Sequence, residues 1–332
     1  MIDRLQEYLQ IVGGSDNVTP ITPDASSRDY YRINQGEESR VACVYPAPFD
    51  DAESHPYVDV SRLFSDGGVR VPRIIDVAPT LGVIILEDVG DTLLRERLLN
   101  SEPGIASILM EQAIGIIADI QATTAQACAR NSIASKLKFD FEKLDWELGF
   151  FTEHYFKSYR GNPNAPTKGF TDELRGVAMQ LSEKAVTVAH RDFHAANVMV
   201  DPEGNLVVID HQDARMGSVA YDLVSLLLDR IESPPAESTL EGWIDLFLSK
   251  RSERNLPLIS RADFVEEFRL QSLQRCLKAI GTFSYQTAVR GRSGYENYIT
   301  PMFEVVLESA RALGGLPHLE STIEKELQSH TL

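Results

Sequence analysis

Cysteine is scarce in this chain: Cys43, Cys128 and Cys276 are the three among 332 residues. Odd in number, far apart and in no metal-ligand spacing, they exclude a disulfide framework and read as reduced thiols of a cytoplasmic protein. Basic side chains are outnumbered, 32 Lys and Arg against 49 Asp and Glu, which leaves a formal net charge of −17. Affinity for nucleic acid rests on Lys and Arg displacing counterions from phosphates, so no nucleic-acid partner is expected. Long hydrophobic runs are missing as well, and no stretch is read as approaching the roughly 20 apolar residues that cross a bilayer. The opening MIDRLQEYLQ alternates charge with apolar residues, as an amphipathic helix does and a secretory signal does not. A soluble, cytoplasmic protein with no membrane partner is the expectation. Internal repeats and low-complexity tracts are not evident.

What is present is ordinary globular composition, 43% apolar and 24% charged, which excludes a disordered or collagen-like chain. At roughly 150 residues per domain the length suggests two domains. After the N-terminal helix and a polar, turn-rich stretch at Gly13 to Asn17, apolar or alternating runs near Tyr30 to Ile33, Val41 to Tyr45, Ile74 to Val77 and Val83 to Leu86 predict strands. Tyr57, Val60, Leu63 and Phe64 recur at helical spacing between the second and third. The first 90 residues thus read as a small, mainly antiparallel sheet with a helix. From Leu93 the pattern turns helical, with long 3.6-period runs that include Ile105 to Ala129, Phe141 to Tyr159 and Arg261 to Val289. One interruption stands out: Val186 to Ala189, then Val198 to Val200 and Leu206 to Ile209, the last two joined by the turn Pro202-Glu203-Gly204-Asn205.

That interruption carries the chemistry. His190-Arg191-Asp192-Phe193-His194-Ala195-Ala196-Asn197 has the spacing of a phosphotransferase catalytic loop, an Asp and an Asn five positions apart. Phosphoryl transfer needs a carboxylate to orient the attacking hydroxyl and accept its proton, and an amide oxygen to help hold Mg²⁺ against the nucleotide phosphates. Asp192 and Asn197 supply both. Thirteen positions beyond Asn197, the run Leu206-Val207-Val208-Ile209 delivers Asp210 to a strand end, where a hard carboxylate suits the bridging Mg²⁺. The bland reading, in which these residues cap turns and begin loops, explains each singly but not their order.

The catalytic loop, together with Asp24-Ala25-Ser26-Ser27-Arg28-Asp29-Tyr30-Tyr31-Arg32, Leu86-Glu87-Asp88-Val89-Gly90, Ile209-Asp210-His211-Gln212-Asp213-Ala214 and Tyr221-Asp222-Leu223-Val224-Ser225-Leu226-Leu227, resembles the aminoglycoside phosphotransferase and choline kinase superfamily over nearly the whole chain. These segments, with Gln274-Arg275-Cys276-Leu277-Lys278-Ala279-Ile280-Gly281, are most similar to the anomeric N-acetylmuramate/N-acetylglucosamine kinases of bacterial cell-wall recycling. The resemblance implies an α+β, two-lobed, protein-kinase-like fold with a small antiparallel sheet N-lobe over 1–88 and a mainly helical C-lobe over 89–332. It implies ATP and Mg²⁺ as cofactors, Asp192 as base and Asn197 and Asp210 as metal ligands. Leu86, Glu87 and Asp88 would form the hinge that hydrogen-bonds adenine, and Ser26, Ser27 and Arg28 the loop above the phosphates. By residue type alone, small side chains let backbone N–H groups approach phosphate oxygens and Arg28 adds charge, although Asp24 to Arg32 also reads as a polar hairpin turn. An amino sugar, phosphorylated at its anomeric hydroxyl, is the acceptor the resemblance implies; an aminoglycoside or choline-type acceptor, or an inactive nucleotide-binding protein, are the alternatives.

The chain departs from protein kinases in three ways. The strand Val41-Ala42-Cys43-Val44-Tyr45 lacks the Lys that grips the α and β phosphates, leaving Arg28 or Arg32 to substitute and no warrant for pairing Glu53 or Asp59 with it. Asp210-His211-Gln212 lacks the usual Phe and Gly. No activation segment or Ala-Pro-Glu follows, so a peptide has no platform and a small hydroxylated acceptor is favoured. Gln212 and Asp213 read either as acceptor contacts or as a solvated turn, and Arg275 as the residue of its helix that reaches the cleft. His190 is read as structural and Asp222 as a brace for the catalytic loop. The Trp146-Glu147 and Phe150-Phe151 stretch reads as helix core rather than as a sugar-stacking surface.

Overall fold

Alternate residues of the early strands face opposite sides of one sheet, and a helix covers each side. The computed structural model describes every residue except 15, 16, 22–26, 37, 331 and 332. Strands β1 (Val18–Ile21), β2 (Asp29–Gln35), β3 (Glu38–Val44), β4 (Ile74–Ala78) and β5 (Val83–Glu87) form an antiparallel sheet in the order β1-β2-β3-β5-β4. Helix α1 (Ile2–Val12) packs Leu5, Tyr8 and Leu9 on the face that carries Ala42, Val44, Val83 and Ile85. Helix α2 (Pro56–Asp66) packs Tyr57 and Val58 on the other face, against Cys43, Ile84 and Leu86. The four expected strands and both helices stand as read. Strand β1 was not anticipated, because Pro20 is a poor strand residue except at a sheet edge, where it lies.

The remaining helices are α3 (Leu94–Leu99), α4 (Pro103–Ala122), α5 (Thr124–Arg130), α6 (Ile133–Lys136), α7 (Phe141–Phe151), α8 (Lys168–Glu183), α9 (Tyr221–Leu228), α10 (Glu237–Glu253), α11 (Arg261–Ala288), α12 (Ile299–Leu313) and α13 (Pro317–His330). Helix α7 continues directly into a π-helical stretch, Thr152–Tyr159. Short strands β6 (Thr187–Ala189) and β9 (Arg215–Gly217) pair with each other, and β7 (Val198–Val200) and β8 (Leu206–Val208) form the expected hairpin. Gly204, at φ 89, supplies the left-handed residue of its turn.

The chain packs as two compact units, one comprising Met1–Leu109, Ala129–Ile133 and Ala195–Asp213, the other Met110–Cys128, Ala134–His194 and Ala214–Leu332. A cut after residue 88 follows the end of the sheet, whereas packing assigns the β7–β8 hairpin to the sheet unit: Val89, Met199 and Val207 share one cluster with Leu93 and Ile209. In the helical unit, Phe151, Tyr155, Phe156, Phe170 and Phe303 are fully buried. Gly281 of α11 passes so close to α7 that a Cβ there would lie 2.6 Å from Phe151 Cα, so only glycine fits the crossing.

One expectation is corrected. By length and composition alone, the helical run Pro103–Arg130 is apolar enough to cross a membrane. Glu111 and Asp119 are spaced widely enough to leave its apolar run intact. Its second half is packed inside, with Ala113, Ile114, Ile117, Ala118 and Ile120 inaccessible, Asp119 paired with Arg254 at 2.5 Å and Gln121 donating to the Val219 carbonyl at 2.8 Å, whereas Ile105 and Ile108 of the first half are exposed.

Candidate active site

The chain leaves β6 into the catalytic loop, which Asp222 holds from below. This buried carboxylate, in the first turn of α9, accepts the backbone N–H groups of His190 at 2.6 Å and Arg191 at 3.1 Å. Burial raises its carboxyl above the ordinary value, and His190 and the two N–H groups oppose that rise. Arg191 adopts φ 87, a left-handed backbone costly for a side chain of this size and tolerated where surrounding bonds fix it. His190 is buried, and its Nδ1 accepts the Asp192 N–H at 3.3 Å. Both His190 and Asp222 therefore brace the loop, as the sequence predicts.

Asp192 is surrounded by cations. Its carboxylate lies 3.5 Å from Arg275, 3.6 Å from Arg191 and 4.0 Å from Lys278. Burial alone would raise its carboxyl, but Lys278, Arg275 and Arg191 outweigh that and hold it well below the usual carboxylate range. Arg275, expected among the acceptor contacts, is 6% exposed and donates to Tyr221 Oη at 3.1 Å and Ser225 Oγ at 2.7 Å, with its guanidinium over the Tyr221 ring. It is fixed against Asp192. Lys278, one helical turn further along α11, is the more exposed cation and was not singled out in the sequence. The three-residue spacing from Arg275 puts it on the same helix face and is the signal that could have found it.

In the sheet unit, the hairpin ladder brings the two expected metal ligands together. Val198 pairs with Val208, and the Ile209 N–H donates to the Asn197 carbonyl at 3.0 Å, so Asn197 and Asp210 flank the same hairpin end. Asp210 stands at φ 60 with its carboxylate 40% exposed, and its Oδ1 accepts from Arg28 Nη2 at 2.7 Å and Gln212 Nε2 at 3.0 Å. Gln212 Nε2 also lies 3.5 Å from Asp213 Oδ2. Its Oε1 is buried without a hydrogen-bond partner among the described residues, an acceptor available to a donor from outside. His211 is inaccessible, bonded through Nε2 to Ser61 Oγ at 2.7 Å and packed on the rings of Tyr57 and Phe64. Helix α2 is thereby tied to the residue beside Asp210, a link that sequence reading missed.

The absent strand Lys now has a local account. The Arg28 guanidinium lies 5.8 Å from both the Tyr30 and Tyr45 rings, on the Cys43 side of the sheet, and pairs with Asp210. Arg32 is committed elsewhere, to Asp88 at 2.6 Å and Asp91 at 2.7 Å. Glu53 pairs with Arg62, and Asp59 accepts from Ser132 and the Ile133 N–H, so neither acid of the α2 region takes part. Of the expected hinge, the Leu86 side chain is core, Glu87 pairs with Arg70 at 2.6 Å, and Asp88 is held by Arg32 and the Gly90 N–H. Their side chains maintain the strand end, and the Glu87 N–H is itself bonded to the Arg73 carbonyl at 2.9 Å. Ser27 is exposed; Ser26 lies outside the described residues.

Asn197 and Asp210 offer hard oxygen donors, and among the described residues no group of three or more His, Cys, Asp or Glu forms a metal cage. That sparse set fits Mg²⁺, which takes one or two protein ligands and fills the rest with phosphate and water.

A family model described as "Phosphotransferase enzyme family" matches residues 17–256. The chain belongs to that family. It is 31% identical to an N-acetylmuramate/N-acetylglucosamine kinase of Pseudomonas aeruginosa, over 88% of this chain and 83% of the relative. Its fold is that of a Ralstonia eutropha protein assigned as an aminoglycoside phosphotransferase, at TM-score 0.62 and 13% identity over 98% and 97% of the two chains. A spectinomycin phosphotransferase solved with ADP and spectinomycin is similar at TM-score 0.56 and 14% identity, over 96% and 98%. As a member of this family, the chain is a small-molecule kinase.

Proposed function

We propose that the protein transfers the γ-phosphoryl group of ATP to an amino sugar, at the anomeric hydroxyl of N-acetylmuramate or N-acetylglucosamine, in the cytoplasm. One observation carries the choice among acceptors: Asp192 stands among Arg191, Arg275 and Lys278. A polycationic aminoglycoside or a choline would meet like charge there, whereas a neutral N-acetyl sugar is tolerated and the carboxylate of a muramate is attracted. The name of the Pseudomonas relative agrees with this reading.

In the reaction, Asp192 orients the acceptor hydroxyl and takes its proton, while Asp222 keeps the loop in the conformation that presents it. Arg275 and Lys278 keep Asp192 ionised. Asn197 and Asp210 would hold Mg²⁺, which when bound neutralises charge on the phosphates. Arg28 takes the part of the strand Lys, and Gln212 Oε1 accepts from an acceptor hydroxyl.

Purified protein with ATP and Mg²⁺, offered N-acetylmuramate, N-acetylglucosamine, kanamycin, choline and homoserine, tests this through ADP release. Turnover with the amino sugars alone is expected; activity confined to kanamycin or choline would overturn the acceptor, and no turnover with any would leave a nucleotide-binding protein.

A further inference from the structure

The helical unit carries a row of aromatic side chains that the chemistry above does not use. Trp146, Phe150 and His154 recur every fourth residue along α7 and its π-helical continuation, and Tyr285 of α11 stands beside them. Ring centroids are 5.6 Å apart for Trp146 and Phe150, 4.1 Å for Phe150 and His154, 5.9 Å for Phe150 and Tyr285, and 4.9 Å for His154 and Tyr285. The sequence reading took Phe150 and Trp146 for core, yet the core positions of this helix are Leu144, Leu148 and Phe151. Trp146 is 59% exposed, and Phe150, His154 and Tyr285 are partly so. An aromatic strip at the surface, exposed at Trp146 and half-buried at the other three rings, suits a ligand that covers it, and π-helical stretches cluster at functional sites.

The strip has a direction. Glu147 meets Gln274 at 2.9 Å, Phe151 meets Gly281, and His154 meets Tyr285, so α7 and α11 run the same way. At the near end, Lys143 lies over the Trp146 ring at 4.3 Å and Lys278 stands 4.0 Å from Asp192. Lys143 Nζ lies 3.6 Å from Glu147, which accepts from Gln274, the neighbour of Arg275 in sequence, so this end of the strip lies at the α11 turn that faces Asp192. Tyr285, seven residues beyond Lys278, lies about 10 Å further along the helix axis, more than the length of one pyranose ring.

We propose that this strip is a second saccharide subsite, stacking the C–H face of a sugar ring joined to the one that is phosphorylated. The acceptor is then the reducing end of an N-acetylated disaccharide as well as a free monosaccharide, which rests on the amino-sugar reading above. The transfer itself is unchanged: the γ-phosphorus bond to the bridging oxygen of ATP breaks, its bond to the reducing-end oxygen forms, and the proton passes to Asp192, with ADP released.

The test uses N,N′-diacetylchitobiose against N-acetylglucosamine. The chain has two tryptophans, Trp146 and Trp243, so in a Trp243→Phe variant titration of intrinsic fluorescence reports on Trp146 without turnover. A saturable emission change with the disaccharide is expected. Phe150→Ala and Tyr285→Ala should each weaken disaccharide binding and its kcat/KM by about tenfold while leaving both within about twofold for the monosaccharide. Lack of any emission change or turnover with the disaccharide, or equal loss for both sugars in correctly folded variants, would overturn the subsite. Disaccharide binding that the two variants weaken, in a protein that phosphorylates neither sugar, would support the subsite and overturn the kinase reading instead.

Discussion

Two cations, Arg275 and Lys278, sit against a single carboxylate in the helical unit, and their effect on Asp192 can be tested by titration. The folded-state pKa of Asp192 is depressed below its unfolded value of about 3.9. Its ionised form therefore adds stability that is complete above that value and is lost as pH falls through the folded one. Asp192 is charged throughout the physiological range, so the acid limb of a kcat/KM profile should not come from it. Lys278→Met removes one attraction and should move the Asp192 titration upward, read from the carboxylate's chemical shift in an NMR pH titration of the variant beside the parent. Asp192→Asn should lower kcat by roughly 10²–10⁴-fold with nucleotide binding kept, measured by ADP release beside a nucleotide titration. At this scale much of the site was legible, because Asp192, Asn197 and Asp210 lie within one loop and hairpin whose letters are fixed by chemistry. Lys278, Ser61 and the pairing of Arg32 with Asp88 were not, since each depends on which elements pack together.

The β7–β8 hairpin fixes the spacing of Asn197 and Asp210, and α2 fixes the residue that follows them. Ser61→Ala removes the hydroxyl bonded at 2.7 Å to the buried His211 imidazole and should cost about 1–3 kcal/mol in denaturant unfolding. If the link positions Asp210, the same variant should need more Mg²⁺ for half-maximal activity; an unchanged Mg²⁺ requirement would make the bond purely structural. At the α7–α11 crossing, Gly281→Ala forces a methyl group against Phe151 backbone and should destabilise by about 1–3 kcal/mol, seen as a lowered Tm. Strand and helix identities were readable here from periods of 2 and 3.6, as β3, β5 and α11 show. The π-helical stretch after Phe151 was not, because the sequence keeps an apolar period through Tyr159 and the widened turn follows from packing. For the same reason the sequence could not separate Phe151, which is buried, from Phe150, which is not.

Over the whole molecule, the net charge of −17 is opposite in sign to the small group of cations at Asp192. The long-range field repels anionic substrates, and only the local field attracts them. Raising salt should therefore lower KM for N-acetylmuramate relative to that for N-acetylglucosamine, since screening removes the long-range repulsion of its carboxylate before the close attraction of Lys278. The global charge vanishes near the sequence pI of 4.9, so light scattering should rise as pH approaches that value. The exchange of the strand Lys for Arg28 also constrains how such a chain can change. Cys43 is 1% exposed and Arg28 fills the neighbouring space between Tyr30 and Tyr45. Introducing lysine at 43 alone would crowd two positive groups into one small volume, and losing Arg28 alone would remove the ion pair made with Asp210 at 2.7 Å. Changing both positions together should therefore cost less activity than the sum of the two single changes, as a double-mutant cycle would measure.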